Sequence, residues 1–234
     1  WDQDIDDYRL NWCRVVERTA EEGSGDIVGA TLSEHGSAVS ALRRFFEGLR
    51  PPGLRRVPRQ ADGDELDVDA AVRLCAERAA GENVSDRIYV KRERKERDVA
   101  VAFLVDVSGS TSRQLEGGRR VIDVEKEGLV LLCEALEAVG DQYALYGYSG
   151  QGRGQVDFLV MKDFDDELGG KAAQRLGGLS PMQQNRDGAA IRHATAKLLA
   201  REARTRLLVL ISNGRPLDDG YKDEYSLEDT KVAL

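Results

Sequence analysis

Apolar residues fall into two kinds of run along this chain. Every position from Val99 to Val105 is apolar, and Leu207 to Ile211 repeats the pattern. Val-rich runs of this length, without helical periodicity, belong to strands buried on both faces of a parallel sheet. Elsewhere the spacing is three and four residues. Val121–Val139 reads as a long helix carrying Val124, Leu129, Leu132, Leu136 and Val139, and a second helix spans Gly188 to about Ala200. Asp166–Leu176 is a weaker helix interrupted by Gly169 and Gly170, and Leu227–Leu234 opens another. Gln142–Tyr148 and Val156–Met161 are strands. The intervening SGQGRG lacks the Lys-Ser/Thr of a phosphate-binding loop and reads as a hairpin connection.

The first part of the chain is less regular. Ser37–Leu49 places Val39, Leu42, Phe45, Phe46 and Leu49 on one helical face and ends at Pro51, Pro52 and Gly53. Ala70–Ala80 is a short helix, with Asp67 or Asp69 near its N-terminal turn. The acids from Asp62 to Asp69 lack the glycine and closing glutamate of an EF-hand. Asp86–Asp98 reads as a short edge strand and a charged lead-in to the central strand. We therefore expect an α/β fold with a mostly parallel sheet flanked by helices over 95–234. A mainly helical N-terminal or linker region occupies 1–94.

Composition narrows the partners. With 234 residues, 41% of them hydrophobic, the chain can bury a substantial core. A net charge of −8 argues against a general nucleic-acid binder. No run approaches the ~20 apolar residues that span a bilayer, and no signal-peptide pattern opens the chain. Cys13, Cys75 and Cys133 are far apart and odd in number, which fits a reducing cytoplasm. Trp1, Tyr8 and Trp12 read as local core in preference to an anchor on another surface.

Chemistry gathers where the apolar runs stop. Val99–Val105 runs into Asp106, Ser108 and Ser110, with Gly109 at the turn. Open α/β sheets bind ligands at the carboxyl ends of their strands. One carboxylate and two hydroxyls there suit Mg²⁺, which takes oxygen ligands in near-octahedral geometry. The plainer alternative is a Ser/Gly turn capping the next helix. The polar loop Gln183–Asp187 and the strand end Ser212-Asn213-Gly214 would converge on the same edge.

These three stretches (DVSGS at 106–110, NRDGAAI at 185–191 and LVLISNG at 208–214) resemble a von Willebrand factor A (VWA) domain with a metal-ion-dependent adhesion site (MIDAS). The resemblance implies a Rossmann-like fold and a Mg²⁺ or similar divalent ion held by Asp106, Ser108, Ser110, Asn185 and Asn213. Asn185 falls where the family has Thr, and Asn213 where it has Asp. Both departures keep an oxygen, but the second removes a negative charge, which Asp187 would restore. A six-stranded family sheet also implies that this domain is incomplete at its C-terminal end. WDxxxxDYRLNWC, LRRFFEGLRPPGLRRVPRQADGDELDVDA, YVKRERKERD and DDGYKDEYSLEDT further resemble the NorD/CbbO type of VWA protein. That type implies a non-catalytic adaptor partnering a hexameric MoxR-family AAA+ ATPase. Its client donates an Asp or Glu to the metal, as Rubisco in one branch and nitric oxide reductase in the other. The NRDG loop slightly favours Rubisco.

An enzyme reading is weaker. VSGST is not a nucleophile elbow, no second acid follows Asp106 two residues on, and His193 lies in mid-helix. A VWA scaffold without metal is the more serious rival.

Overall fold

The computed structural model describes residues 1–2, 4–48, 54–80, 86–94, 98–221 and 223–234. They form two compact units, Trp1–Gly48 with Asp98–Leu234, and Leu49–Arg97. The larger unit contains β1 (Val15–Thr19), α1 (Ile27–Glu34) and α2 (Gly36–Gly48). The smaller holds β2 (Leu54–Gln60), β3 (Glu65–Leu66), α3 (Val68–Ala79) and β4 (Tyr89–Arg94). Back in the larger unit come β5 (Val99–Asp106), α4 (Val121–Val139), β6 (Gln142–Gly150), β7 (Val156–Lys162), α5 (Gly170–Gly178), α6 (Asp187–Leu199), β8 (Thr205–Ile211) and α7 (Asp223–Ala233).

The main sheet has the order β1-β7-β6-β5-β8. β5 lies parallel to β6 and β8, β7 runs antiparallel to β6, and β1 runs parallel to β7. Residues Ala100–Val105 are at most 4% exposed, as the unbroken apolar run requires. Their side chains alternate between two cores. Val101, Phe103 and Val105 pack with Ile122, Leu129, Cys133 and Leu136 of α4. Ala100, Ala102 and Leu104 pack with Ala190, Ile191, Ala194 and Leu198 of α6. Helices on both faces and a mostly parallel sheet make this the expected α/β fold.

The expected break at 94/95 lies elsewhere. Val15 and Val16 are half-buried against Val156 and Asp157 of β7, so the N-terminal segment supplies an edge of the main sheet. The region expected to be mainly helical contains strands besides its helices. β4 is not an edge strand: it lies between β2 and β3 in a small antiparallel sheet. Asp67 caps α3 as expected, its side chain accepting from the Ala70 amide. In α4, Val124 is 40% exposed, and Ile122 takes its place in the buried stripe. In α2, Val39 is buried and Phe45 is exposed. The backbone of Leu49, Pro51, Pro52 and Gly53, and the side chain of Phe46, lie outside what is described. Trp1 and Trp12 meet Tyr225 of α7, while Tyr8 is 55% exposed. All three cysteines are free.

Candidate metal centre

The site grows out of the carboxyl end of β5. Asp106 is 1% exposed, and the turn after it folds back so that the Ser108 amide donates to Asp106 Oδ1 (2.8 Å). A 3-10 turn over Gly109–Ser112 then brings the Ser108 and Ser110 hydroxyls to 3.0 Å. Gly109 sits at a close approach of two backbones. Its amide donates to the Gln183 carbonyl, and a Cβ would lie 3.2 Å from that oxygen.

The 182–187 loop is stitched down by backbone bonds, Met182 to Val107 and Gln184 reciprocally to Gly150 at the end of β6. This brings Asn185 to Asp106, its Nδ2 donating to Asp106 Oδ2 at 2.9 Å. The Asn185 Oδ1 accepts from the Leu217 amide (2.8 Å), which fixes the orientation of the side chain. Asn185 therefore presents nitrogen, not oxygen, to the site, and holds Asp106 in place. Beyond β8, Ser212 Oγ donates to Asp106 Oδ2 (3.3 Å), and Asn213 Oδ1 accepts from Ser110 Oγ (2.8 Å). Gly109, Ser110, Ser112, Arg113 and Asn213 line an open depression of about 260 Å³.

The oxygen spacing is that of the hydrogen bonds joining these groups and is also compatible with Mg²⁺. Oxygens 2.0–2.1 Å from Mg²⁺ in an octahedron lie about 2.9 Å from one another. Ser108 Oγ to Ser110 Oγ is 3.0 Å, and Ser110 Oγ to Asn213 Oδ1 is 2.8 Å. Ser108 Oγ, Ser110 Oγ and Asn213 Oδ1 form a hydrogen-bonded row of oxygens beside Asp106, the set available to an ion.

Burial, and for two of them like charge, disfavours the ionised form of three carboxyl groups here. Burial pushes the Asp106 carboxyl above its usual range, against the pull of its hydrogen bonds from Ser108, Ser212 and Asn185. Asp187 is pushed up to about 7 by burial, with the charges of Asp106 and Asp229 adding to the effect and the Tyr148 hydrogen bond opposing it. The Tyr148 hydroxyl donates to Asp187 Oδ1 (2.8 Å), and Asn185 Nδ2 lies 3.3 Å from the same oxygen. Glu125 of α4 is also pushed up to about 7, by burial and then by the charge of Asp106. Neither Tyr148 nor Glu125 stood out in the sequence. The available signal for Glu125 was a carboxylate three residues after buried Ile122 and four before Leu129. His193 sits on the α6 surface, its Nε2 2.8 Å from Glu17 and its ring edge-on to Phe158.

A mostly parallel α/β domain with an Asp-Ser-Ser crest at its strand ends is the class that fold and site define. No family model matches the sequence. The chain is similar to Protein NorD of Brucella melitensis, at 38% identity over all 234 residues and 36% of the relative's length. It is also 39% identical to Protein NorD of Stutzerimonas stutzeri over 82% of this chain and 32% of that one. The chain thus spans about a third of the length of these curated relatives. Among solved structures, the vWF domain of the Porphyromonas gingivalis pilus tip protein Mfa5 aligns with a TM-score of 0.40. That match has 16% identity and covers 53% of this chain and 40% of that one.

Proposed function

We propose that this chain is the client-binding part of a non-catalytic accessory protein. In this reading it recruits a client enzyme to a hexameric MoxR-family AAA+ ATPase through a Mg²⁺-dependent adhesion site. The supporting observation is the convergence of Asp106, Ser108, Ser110, Asn185 and Asn213, from three separate segments, into one hydrogen-bonded cluster beside an open depression. Ser108, Ser110 and Asn213 would hold the ion, Asp106 would supply its charge, and Asn185 would fix Asp106. The ion would supply an open position for a carboxylate from another protein, and Arg113 on the rim of the same depression adds a second positive group for it. Between the two client classes implied by the sequence, we favour nitric oxide reductase over Rubisco, because the relatives matched along the chain are named NorD.

A metal-free scaffold is the second reading, favoured by the hydrogen bonds that already occupy both Asp106 oxygens. Capture experiments with the full-length protein and its source lysate separate the two. The adhesion reading requires ATPase and client to co-purify, with the client lost in Asp106→Ala or in EDTA and the ATPase retained. Undiminished client capture by Asp106→Ala in EDTA would leave the scaffold reading standing.

A further inference from the structure

The N-terminal segment meets α6 around a hollow of about 360 Å³ that shares no residue with the depression at Ser110. Ala189 and Ala196, two turns apart on one face of α6, leave room on that side. Trp1, Tyr8 and Trp12 supply aromatic walls, and Arg9 and Arg192 supply charge. Among the described residues no Asp or Glu lines the hollow, in a chain whose net charge is −8.

The two arginines are only partly engaged. Arg9 Nε pairs with Asp2 Oδ2 at 2.6 Å, and Arg192 Nη2 donates to Asp229 Oδ1 at 2.5 Å. Arg192 Nη1 is closed to solvent and has no hydrogen-bond partner among the described residues, a costly state for a guanidinium nitrogen. The Tyr8 ring lies 5.6 Å from that guanidinium and is 55% exposed, so it can turn aside. A third guanidinium, Arg153, stacks on Trp12 at 4.0 Å, and no described carboxylate pairs with it. Trp12 and Tyr8 therefore already face cations, which disfavours a cationic occupant and suits an anionic one. Leu10, between the lining residues Arg9 and Asn11, is 96% exposed. A bare leucine among Tyr, Trp and Arg is the make-up of a protein-docking surface.

We propose that this hollow docks an acidic peptide segment of a partner protein. A large apolar side chain of the segment would enter between the rings. A flanking Asp or Glu would pair with Arg9 and, once Tyr8 turns aside, with Arg192. The site needs no ion and stands apart from the adhesion reading.

Selection of displayed random peptides on the full-length protein in EDTA tests this with the metal centre silent. Enriched peptides should carry Trp, Phe or Leu next to Asp or Glu. In fluorescence anisotropy with the leading peptide, Tyr8→Ala and Arg9→Gln should each weaken binding about 10-fold or more, as truncated hot spots do. Should Arg9→Gln lower the melting temperature by unsettling Asp2, Tyr8→Ala decides the matter, because its ring is half out in water. Leu199→Ser removes an exposed α6 leucine outside the hollow and should leave affinity unchanged. Absence of enriched peptides, enrichment without acids, or equal affinity of Tyr8→Ala and unmodified protein would overturn the proposal. So would uptake of a small aromatic carboxylate such as phenylacetate with no peptide bound, the mark of a small-molecule pocket.

Discussion

Arg186 carries its charge into a nearly dry setting: its side chain is 2% exposed and that of its partner Asp218 is 0%. The guanidinium Nε donates to Asp218 Oδ2 (2.9 Å), another nitrogen to the Asp219 carbonyl, and the group lies over the Tyr221 ring. Asp218 Oδ1 accepts from the Gly152 amide. Removing one partner of such a pair strands the other, so Asp218→Ala should cost ~3–5 kcal/mol in urea unfolding. The neighbouring Asp187 makes a pH-dependent contribution. Its carboxyl ionises near 3.8 when unfolded and near 7 when folded. Between those values the folded state holds a proton that the unfolded state releases, so stability falls as pH rises through the interval. Asp187→Asn should therefore melt about 2–4 °C higher than the unmodified protein at pH 8 in EDTA, with no gain at pH 4. At this scale the gathering of Asp106, Ser108 and Ser110 was legible, because an apolar strand that runs into small oxygen-bearing residues and a glycine brings them to one turn. Asn185's part as a clamp was not legible. It depends on the Leu217 amide, which only the fold brings near.

At the scale of elements, the end of α5 and the connection after β1 touch through two glycines. A Cβ on Gly23 would lie 2.6 Å from the Gly178 nitrogen, and one on Gly178 would run into the Glu21 carbonyl and the Gly23 nitrogen. Backbone on both sides leaves no side chain to swing away. Gly178→Ala should thus cost ~1–3 kcal/mol and speed proteolytic cleavage between residues 20 and 26, readable by mass spectrometry. The long elements were legible for a physical reason. Buried central strands have no polar alternation to confuse them, and the 121–139 helix repeats its apolar positions over several turns. β1, with the sequence VVERT, has two apolar residues and three polar ones, too few to show a period. β2 reads LRRVPRQ, where charges and a proline hide the pairing with β4. Cross-strand ion pairs contribute there, Glu65 lying between Arg56 and Arg92.

For the whole molecule, the proposed Mg²⁺ site would link ion binding to folding. At a concentration a hundred times Kd, Mg²⁺ should add about 2.7 kcal/mol of stability, seen as a rise in Tm that Asp106→Ala abolishes. Sodium at equal ionic strength provides the control for general screening. Among the described residues no helix is long and apolar enough to cross a membrane.

The place of β1 in the sheet also sets an order of events during synthesis. Val15 leaves the ribosome well before its partner Val156, and the 49–97 unit is made in between. β1 must therefore wait through the making of β5 and β6, while closing so long a loop delays its capture. Glu17 and Arg18, later tied to His193, Lys197 and Asp157, keep the waiting strand charged and discourage it from pairing with another chain. In pulse-labelled refolding, amide protection at 15–19 should arrive after protection at 100–105 and 143–148. The N-terminal strand would then be the last seam of the sheet to close.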